Sequence, residues 1–186
     1  MQSVVLDSCV LYSALLRDYF MRLSVRLFQP KWTEAIHVEW IRSVQENRPE
    51  ISGEKLIHTR NLMNKNGRDC IVTDYESLIP RLMLPDPGDR HVLAAAIKSE
   101  SSLIVTFNLS DFPDKTLEVY NIRAIHPDDF ALKLFEDDHD TFLELTKRHR
   151  IGLINPPYCV EEYVNNLAKS GLIKTADVLR LRSENL

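Results

Sequence analysis

The sequence predicts an α/β domain with a central, mainly parallel sheet, followed by a small all-helical extension. Short runs of β-branched and apolar residues, Ser3–Leu6 and Ser102–Thr106, alternate with stretches whose apolar residues recur at helical spacing. Such alternation is the pattern of crossover connections between parallel strands. Beyond residue 136 the helical spacing continues and no strand candidate follows.

Ser3-Val4-Val5-Leu6 reads as a buried first strand ending in Asp7. Asp7 and Ser8 offer capping oxygens to a helix carrying Val10, Leu11, Ala14 and Leu15, with a break at Arg17 and Asp18 before helix resumes over Tyr19 to Leu27. Pro30 closes that unit. Thr33 caps a helix from Glu34 to about Glu46, and Ser52 begins another that Gly67 ends. Ile71-Val72-Thr73 is a short strand candidate, followed by a short helix over Tyr75 to Leu82. Leu84 to Asp89 is a Pro- and Gly-bearing loop leading into a buried helix from Arg90 to Ser99. Ser102 to Thr106 is the second clear strand and Val119 to Ala124 a further one, before a helix capped by His126 that runs to Phe135. Helices then cover Asp140 to Arg150, Glu161 to Lys169 and Thr175 to Arg182. This divides the chain into residues 1–136 and a helical extension over 140–186, too short to build a core of its own. The acidic run from Asp128 to Asp140 reads as a solvated connection between the two.

Several classes drop out on composition. With 44% hydrophobic and 27% charged residues in 186, the chain is an ordinary globular one. No apolar run approaches the ~20 residues of a membrane span, and the amino terminus lacks the basic and apolar regions of a secretory leader. Cys9, Cys70 and Cys159 are odd in number and widely spaced, which disfavours a disulfide framework or a zinc site and fits a reducing cytoplasm. The net charge of −4 is unlike that of a protein that only grips nucleic acid. If the chain acts on nucleic acid, its negative groups need a reason, and a bound metal is one.

Acidic and amide residues gather where such a metal would bind. Asp7 ends the first strand, Asp86-Pro-Gly-Asp89 opens a helix, and Thr106-Phe-Asn-Leu-Ser-Asp111 follows the second strong strand. Ligands of open parallel sheets bind at the carboxyl ends of the strands. A strand-end Asp is often only a helix cap, so the convergence of three clusters is the informative feature. The glutamates of the Thr33 helix add two candidates, Glu34 and Glu39. Five residues apart, they project about 140° from one another and cannot both face one pocket. Glu34 sits in the first turn, where the helix dipole favours a carboxylate.

Val4-Val-Leu-Asp7, Leu84-Pro-Asp-Pro-Gly-Asp-Arg-His-Val-Leu-Ala-Ala-Ala-Ile97 and Ile104-Val-Thr-Phe-Asn-Leu-Ser-Asp-Phe-Pro113 together resemble a PIN domain. More narrowly they resemble the VapC-type toxin nucleases of toxin–antitoxin pairs, over roughly Met1 to Phe135. The resemblance implies a PIN-like α/β/α sandwich, a pocket binding Mg²⁺ or Mn²⁺, and hydrolysis of RNA phosphodiester bonds. It maps the catalytic, metal-binding acids onto Asp7, Glu39, Asp89 and Asp111. Glu39 takes the second place because Glu39-Trp-Ile-Arg42 matches the family pattern of a Glu followed by a bulky residue and a basic stretch. Thr106, Asn108 and Asp86 fall into supporting places. Asn108 stands where Asp is frequent, which lowers the negative charge of that corner.

The residue types suit the implied chemistry. Mg²⁺ and Mn²⁺ are hard cations that take carboxylate, amide and water oxygens, and carboxylates crowded together without metal repel one another. No histidine is required, and His37, His58 and His91 read as structural or surface residues. RNA phosphates still need cations. Arg42 leads a segment with six bases (Arg42, Arg48, Lys55, Arg60, Lys65, Arg68) against three acids (Glu46, Glu50, Glu54), and Lys147, Arg148 and Arg150 form a second basic cluster. Leu15, Tyr19, Phe20, Leu23 and Phe28 read mostly as core; the resemblance also implies a cognate antitoxin and a homodimer, with some of these residues available to either. Two other readings compete: a catalytically weak PIN-like RNA-binding module, and a metal-dependent phosphatase of another α/β fold. Asp7-Ser8-Cys9 lacks the Asp-x-Asp of an aspartyl-phosphate enzyme.

Overall fold

Four short parallel strands, in the order β2-β1-β3-β4, form the centre of the computed structural model, which describes residues 1–186. They are β1 (Ser3–Leu6), β2 (Gln29–Lys31), β3 (Leu103–Val105) and β4 (Arg123–Ile125). Val4 pairs with Leu103 and Leu6 with Val105, so β1 and β3 lie side by side in register. Val4, Val5, Leu6, Ile104 and Val105 are all fully buried. Consecutive buried residues mean that both faces of the sheet are covered, as a layered α/β/α sandwich requires.

The helices are α1 (Ser8–Tyr12), α2 (Ala14–Leu23), α3 (Glu34–Asn47), α4 (Gly53–Asn66), α5 (Arg90–Lys98), α6 (Asp114–Leu117), α7 (Pro127–Asp137), α8 (His139–Gly152), α9 (Val160–Lys169) and α10 (Ile173–Arg180). After β1 the chain goes to one side to form β2, then crosses to the other side of β1 to form β3 and β4. The reversal opens a crevice between the carboxyl ends of β1 and β3. Asp7 and Thr106 are the residues that follow those two strands, and they flank it.

Local structure departs from the sequence expectation in several places. Pro30 closes nothing: it lies within β2, on the sheet edge, where a residue without an N–H is tolerated. The break in the first helical stretch falls at Ser13, whose hydroxyl caps α2, and not at Arg17 and Asp18. Arg17 is buried instead, donating to the Leu11 carbonyl at 2.5 Å and lying 4.5 Å over the Trp40 ring. Ile71 makes a single bridge to Trp32 in place of a strand. Asn121 turns the chain at φ 57°, so β4 begins at Arg123. Tyr19, Phe20, Leu23 and Phe28, by contrast, are fully buried, as the reading of them as mostly core expects, and so offer no surface to a partner.

The helical extension shares the core of the sheet domain. Phe142, Leu145, Tyr163, Leu167 and Leu179 belong to the same apolar cluster as the strands. Polar bonds cross the junction as well. Tyr19 and Thr146 hydroxyls meet at 3.0 Å, and His149 joins Tyr163 Oη at 2.8 Å to Asp18 at 3.1 Å. The acidic run, expected to be a solvated connection, is not all solvated. Asp128 is only 3% exposed. It accepts from the Lys174 and Thr175 amides at 2.8 and 2.9 Å and from the Thr175 hydroxyl at 2.7 Å. A helix start leaves orphan N–H groups, and Asp128 on α7 satisfies two of those of α10.

Candidate active site

Asp7 is 4% exposed at the end of β1, and both its oxygens are held. Oδ1 accepts the Ser8 amide at 2.6 Å, which starts α1. Oδ2 accepts the Thr106 hydroxyl at 2.7 Å and the Cys9 thiol at 3.2 Å. Carboxylate oxygens carry two lone pairs each, so a held carboxylate keeps acceptor capacity. Because β1 and β3 are adjacent, the Thr106 hydroxyl reaches Asp7 across the crevice. The same hydroxyl oxygen accepts the Asn108 amide at 3.0 Å and so fixes the start of the next loop.

Asp89 sits where the turn Pro87–Asp89 becomes α5. Asp86 caps that turn by accepting the Gly88 amide at 2.7 Å. The Asp89 carboxyl is pushed up from the ordinary 3.8 to about 6, first by burial and then by the charges of Asp7, Asp86, Asp111 and Glu39. The charges of Asp7, Asp86, Asp111 and Glu39 thus all reach Asp89, so that acids from four separate segments share one electrostatic field. The acids share that field without closing into a cage: no three His, Cys, Asp or Glu side chains meet tightly enough to hold a metal ion as they stand. The donor chemistry, all carboxylate oxygen under mutual repulsion, is that of a hard divalent cation site.

The two glutamates of α3 face different ways. Glu34 turns to α4, 3.5 Å from Arg60 and 3.4 Å from Asn64. Glu39 accepts from His91 Nε2 at 2.7 Å. Burial acts to raise the Glu39 carboxyl, but the His91 hydrogen bond and charge outweigh it, with Ser8 and Arg42 adding to them, and the carboxyl is held below its ordinary value. His91, structural or surface by its sequence, is here the partner of a candidate acid. Its position two residues after Asp89, on the first turn of α5, is the signal that could have found it. Cys9, beside Asp7, was also not anticipated. Burial and then the Asp7 charge push its thiol up to about 12, so it is a neutral donor.

Asn108 is exposed, and Asp111 ends the short turn Leu109–Asp111. Of the candidate RNA-binding cations, Arg42 lies exposed, 4.0 Å from Glu46, and Arg148 is exposed, 2.6 Å from Glu144. Lys147 is exposed. Arg150 is not free: its guanidinium donates to the Tyr158 and Leu186 carbonyls at 3.0 and 3.2 Å. It ties the chain's end to α8 and is removed from the RNA-facing set. A cleft of about 600 Å³ lies between α2 and α4, lined by Arg17, Asp18, Met21, Arg22, Leu62 and Met63 among others, and none of Asp7, Glu39, Asp89 and Asp111 lines it. No helix is long and apolar enough to cross a membrane.

Residues 3–110, more than half of the chain, match the family model described as the PIN domain. Asp111 falls just beyond that match. Residues 127–181 match a second model, the VapC50 C-terminal domain, which begins with α7. Among curated proteins, "Putative ribonuclease VapC50" of Mycobacterium tuberculosis is 42% identical over 85 residues, covering 44% of this chain and 48% of that protein. The chain thus spans about half the length of that relative. No solved structure matches it.

Proposed function

The chain belongs to the PIN-domain family, and on that premise we propose that it is a Mg²⁺- or Mn²⁺-dependent endoribonuclease, the toxin of a type II toxin–antitoxin pair. The observation that carries the reading is the Asp89 carboxyl, raised to about 6 by burial and by four neighbouring acids. Acids brought together from four segments against their own repulsion need a function that offsets the cost. The relative's printed name, a ribonuclease, supports RNA as the substrate.

In this reading Asp7, Glu39, Asp89 and Asp111 hold the cation, with Asp86 bracing the turn before Asp89. When bound, the cation neutralises the phosphodiester, lowers the pKa of a water and steadies the leaving oxygen. The chain's own residues do the orienting. Thr106 and Cys9 aim Asp7 through Oδ2, the Ser8 amide fixes Oδ1, and His91 fixes Glu39. Asn108 contributes a neutral amide at the mouth of the loop. Arg42, Lys147 and Arg148 are exposed cations for the RNA phosphates flanking the cleaved bond. We assign catalysis to residues 1–136 and treat 140–186 as the extension. The antitoxin partner, a homodimer and a cytoplasmic setting complete the proposal, and the cleft between α2 and α4 is a concave, partly apolar surface suited to a partner helix.

The test is cleavage of structured RNA by the purified chain with Mn²⁺ or Mg²⁺, with and without chelator, beside Asp7→Asn and Asp89→Asn. Metal-dependent cleavage lost in both variants supports the proposal. RNA binding without cleavage by the wild type would instead identify a binding module.

A further inference from the structure

The turn between α9 and α10 reaches the acidic end of the sheet. Gly171 occupies it at φ 99°, a conformation open to glycine. A Cβ at that position would stand 2.7 Å from Phe107 Cε1 and 3.1 Å from Cζ. Glycine is therefore required twice, by the backbone and by the ring lying against it. The ring also packs against His126, edge to face with centroids 5.0 Å apart.

Phe107 is also the residue between Thr106 and Asn108, and its amide donates to Cys9 Sγ at 3.4 Å. Thr106 and Cys9 both bond Asp7 Oδ2. A continuous path of contacts thus runs from the helical extension through Phe107 to the first acid. The turn is itself anchored. The Gly171 and Leu172 amides bond back to Ala168 and Leu167, and Asp128 holds the Lys174 and Thr175 amides. The backbone of the loop is held at its ends, by the Thr106 amide on the Ile125 carbonyl, the Asn108 amide on Thr106 Oγ1 and the Asp111 amide on the Asn108 carbonyl. Between them Asn108 to Ser110 are exposed, and the Phe107 amide has only a bond to sulfur, which is weak.

We propose that the α9–α10 turn braces the catalytic loop: Gly171 presses on Phe107, and Phe107 sets the Thr106–Asn108 segment and, through it, Asp7. Gly171 and Phe107 are positioning residues that touch no reacting atom. The effect on turnover rests on the nuclease reading above; the mechanical coupling does not. It gives the extension a role at the acids without making it a ligand donor.

The experiment uses the full chain and compares wild type with Gly171→Ala, Phe107→Leu and the double variant. Three quantities are read: hydrogen exchange at the Phe107 and Asn108 amides, Mn²⁺ affinity by calorimetry, and kcat and KM on RNA. The expected result is faster exchange at both amides in each single variant. Mn²⁺ binding weakens and kcat falls roughly 10- to 100-fold at unchanged KM, and the double variant is no worse than the worse single one. Unchanged exchange at 107 and 108 while α9 and α10 loosen would overturn the brace, as would an unchanged kcat in an active enzyme. If Gly171→Ala does not fold, Phe107→Leu carries the same readouts. If the wild type neither cleaves RNA nor binds Mn²⁺, the nuclease reading fails, and the exchange data alone decide the brace.

Discussion

His91 Nε2 lies 2.7 Å from Glu39 Oε1, joining the first turn of α5 to the middle of α3. The side chains are unequally shielded, His91 being 11% exposed and Glu39 33%. A carboxylate can only accept, so Nε2 carries the proton, and Nδ1 is left shielded from solvent with no partner. The bond fixes the direction of Glu39 and stabilises its charged form.

Replacing His91 should therefore act through Glu39. In His91→Ala the Glu39 carboxyl rises from its lowered position, and Mn²⁺ affinity falls roughly tenfold, the low end for loss of a residue that orients a metal ligand. His91→Gln keeps a donor and should recover most of the affinity. Calorimetric Mn²⁺ titration of the three proteins checks this. Equal affinity in all three would make His91 a packing residue only.

Asp89 gives a pH prediction for the metal-free protein. Its folded carboxyl titrates near 6 against an ordinary 3.8. Between those values the folded state binds more protons than the unfolded one, so stability falls as pH rises through the window. The full gap corresponds to roughly 3 kcal/mol, and solvent screening at a half-exposed group reduces it to about 1 kcal/mol. Asp89→Asn in chelator should therefore be about 1 kcal/mol more stable than wild type at pH 7 and equal to it near pH 4. Thermal unfolding at the two pH values reads the difference. Saturating Mn²⁺ should reverse the order at pH 7.

The parts of the site that follow strands were legible in the sequence; the parts that lie across the fold were not. Asp7 and Thr106 could be placed because buried β-branched runs precede them. Asp86 and Asp89 could be placed because Pro and Gly mark the turn. His91 was missed because its partner Glu39 lies 52 positions away, and no periodicity couples α3 to α5. Gly171 was missed for the same reason: nothing near it in sequence shows the Phe107 ring that demands it. β2 was missed because Pro30 reads as a terminator, and only its place on the sheet edge makes it admissible. Arg150 looked like its neighbours Lys147 and Arg148, and only the folded chain end shows that it is occupied.

Asp128 should be a stability residue with a consequence at the extension. It is buried and holds two amides and a hydroxyl of α10. Hydrogen bonds to a charged acceptor contribute about 1.5–3 kcal/mol, and leaving buried donors unmet adds to the loss. Asp128→Ala should cost roughly 2–4 kcal/mol, with α10 amides exchanging faster than those of α3. Denaturant unfolding and residue-resolved exchange measure both. Asp129→Ala removes only the exposed pair with Lys174 and should cost less than about 1 kcal/mol.

The basic face of α8 divides by the same logic. Lys147 and Arg148 are exposed, and Arg148 is held only by an exposed pair with Glu144, so both remain available to phosphates. Removing either should weaken RNA binding across sequences and lower the slope of log affinity against log salt by about 0.7, the value for one phosphate contact on a single strand. Arg150→Ala should leave that slope unchanged, because its guanidinium is committed to the Tyr158 and Leu186 carbonyls. It should instead free the carboxyl end and lower the melting temperature. Binding isotherms at several salt concentrations, on the cleavage-dead Asp7→Asn background, separate the two roles. A full-sized slope change in Arg150→Ala would return that residue to the RNA path. No change in any of the three would move the RNA path off α8 and leave Arg42, whose charge acts on Glu39, as the remaining candidate cation.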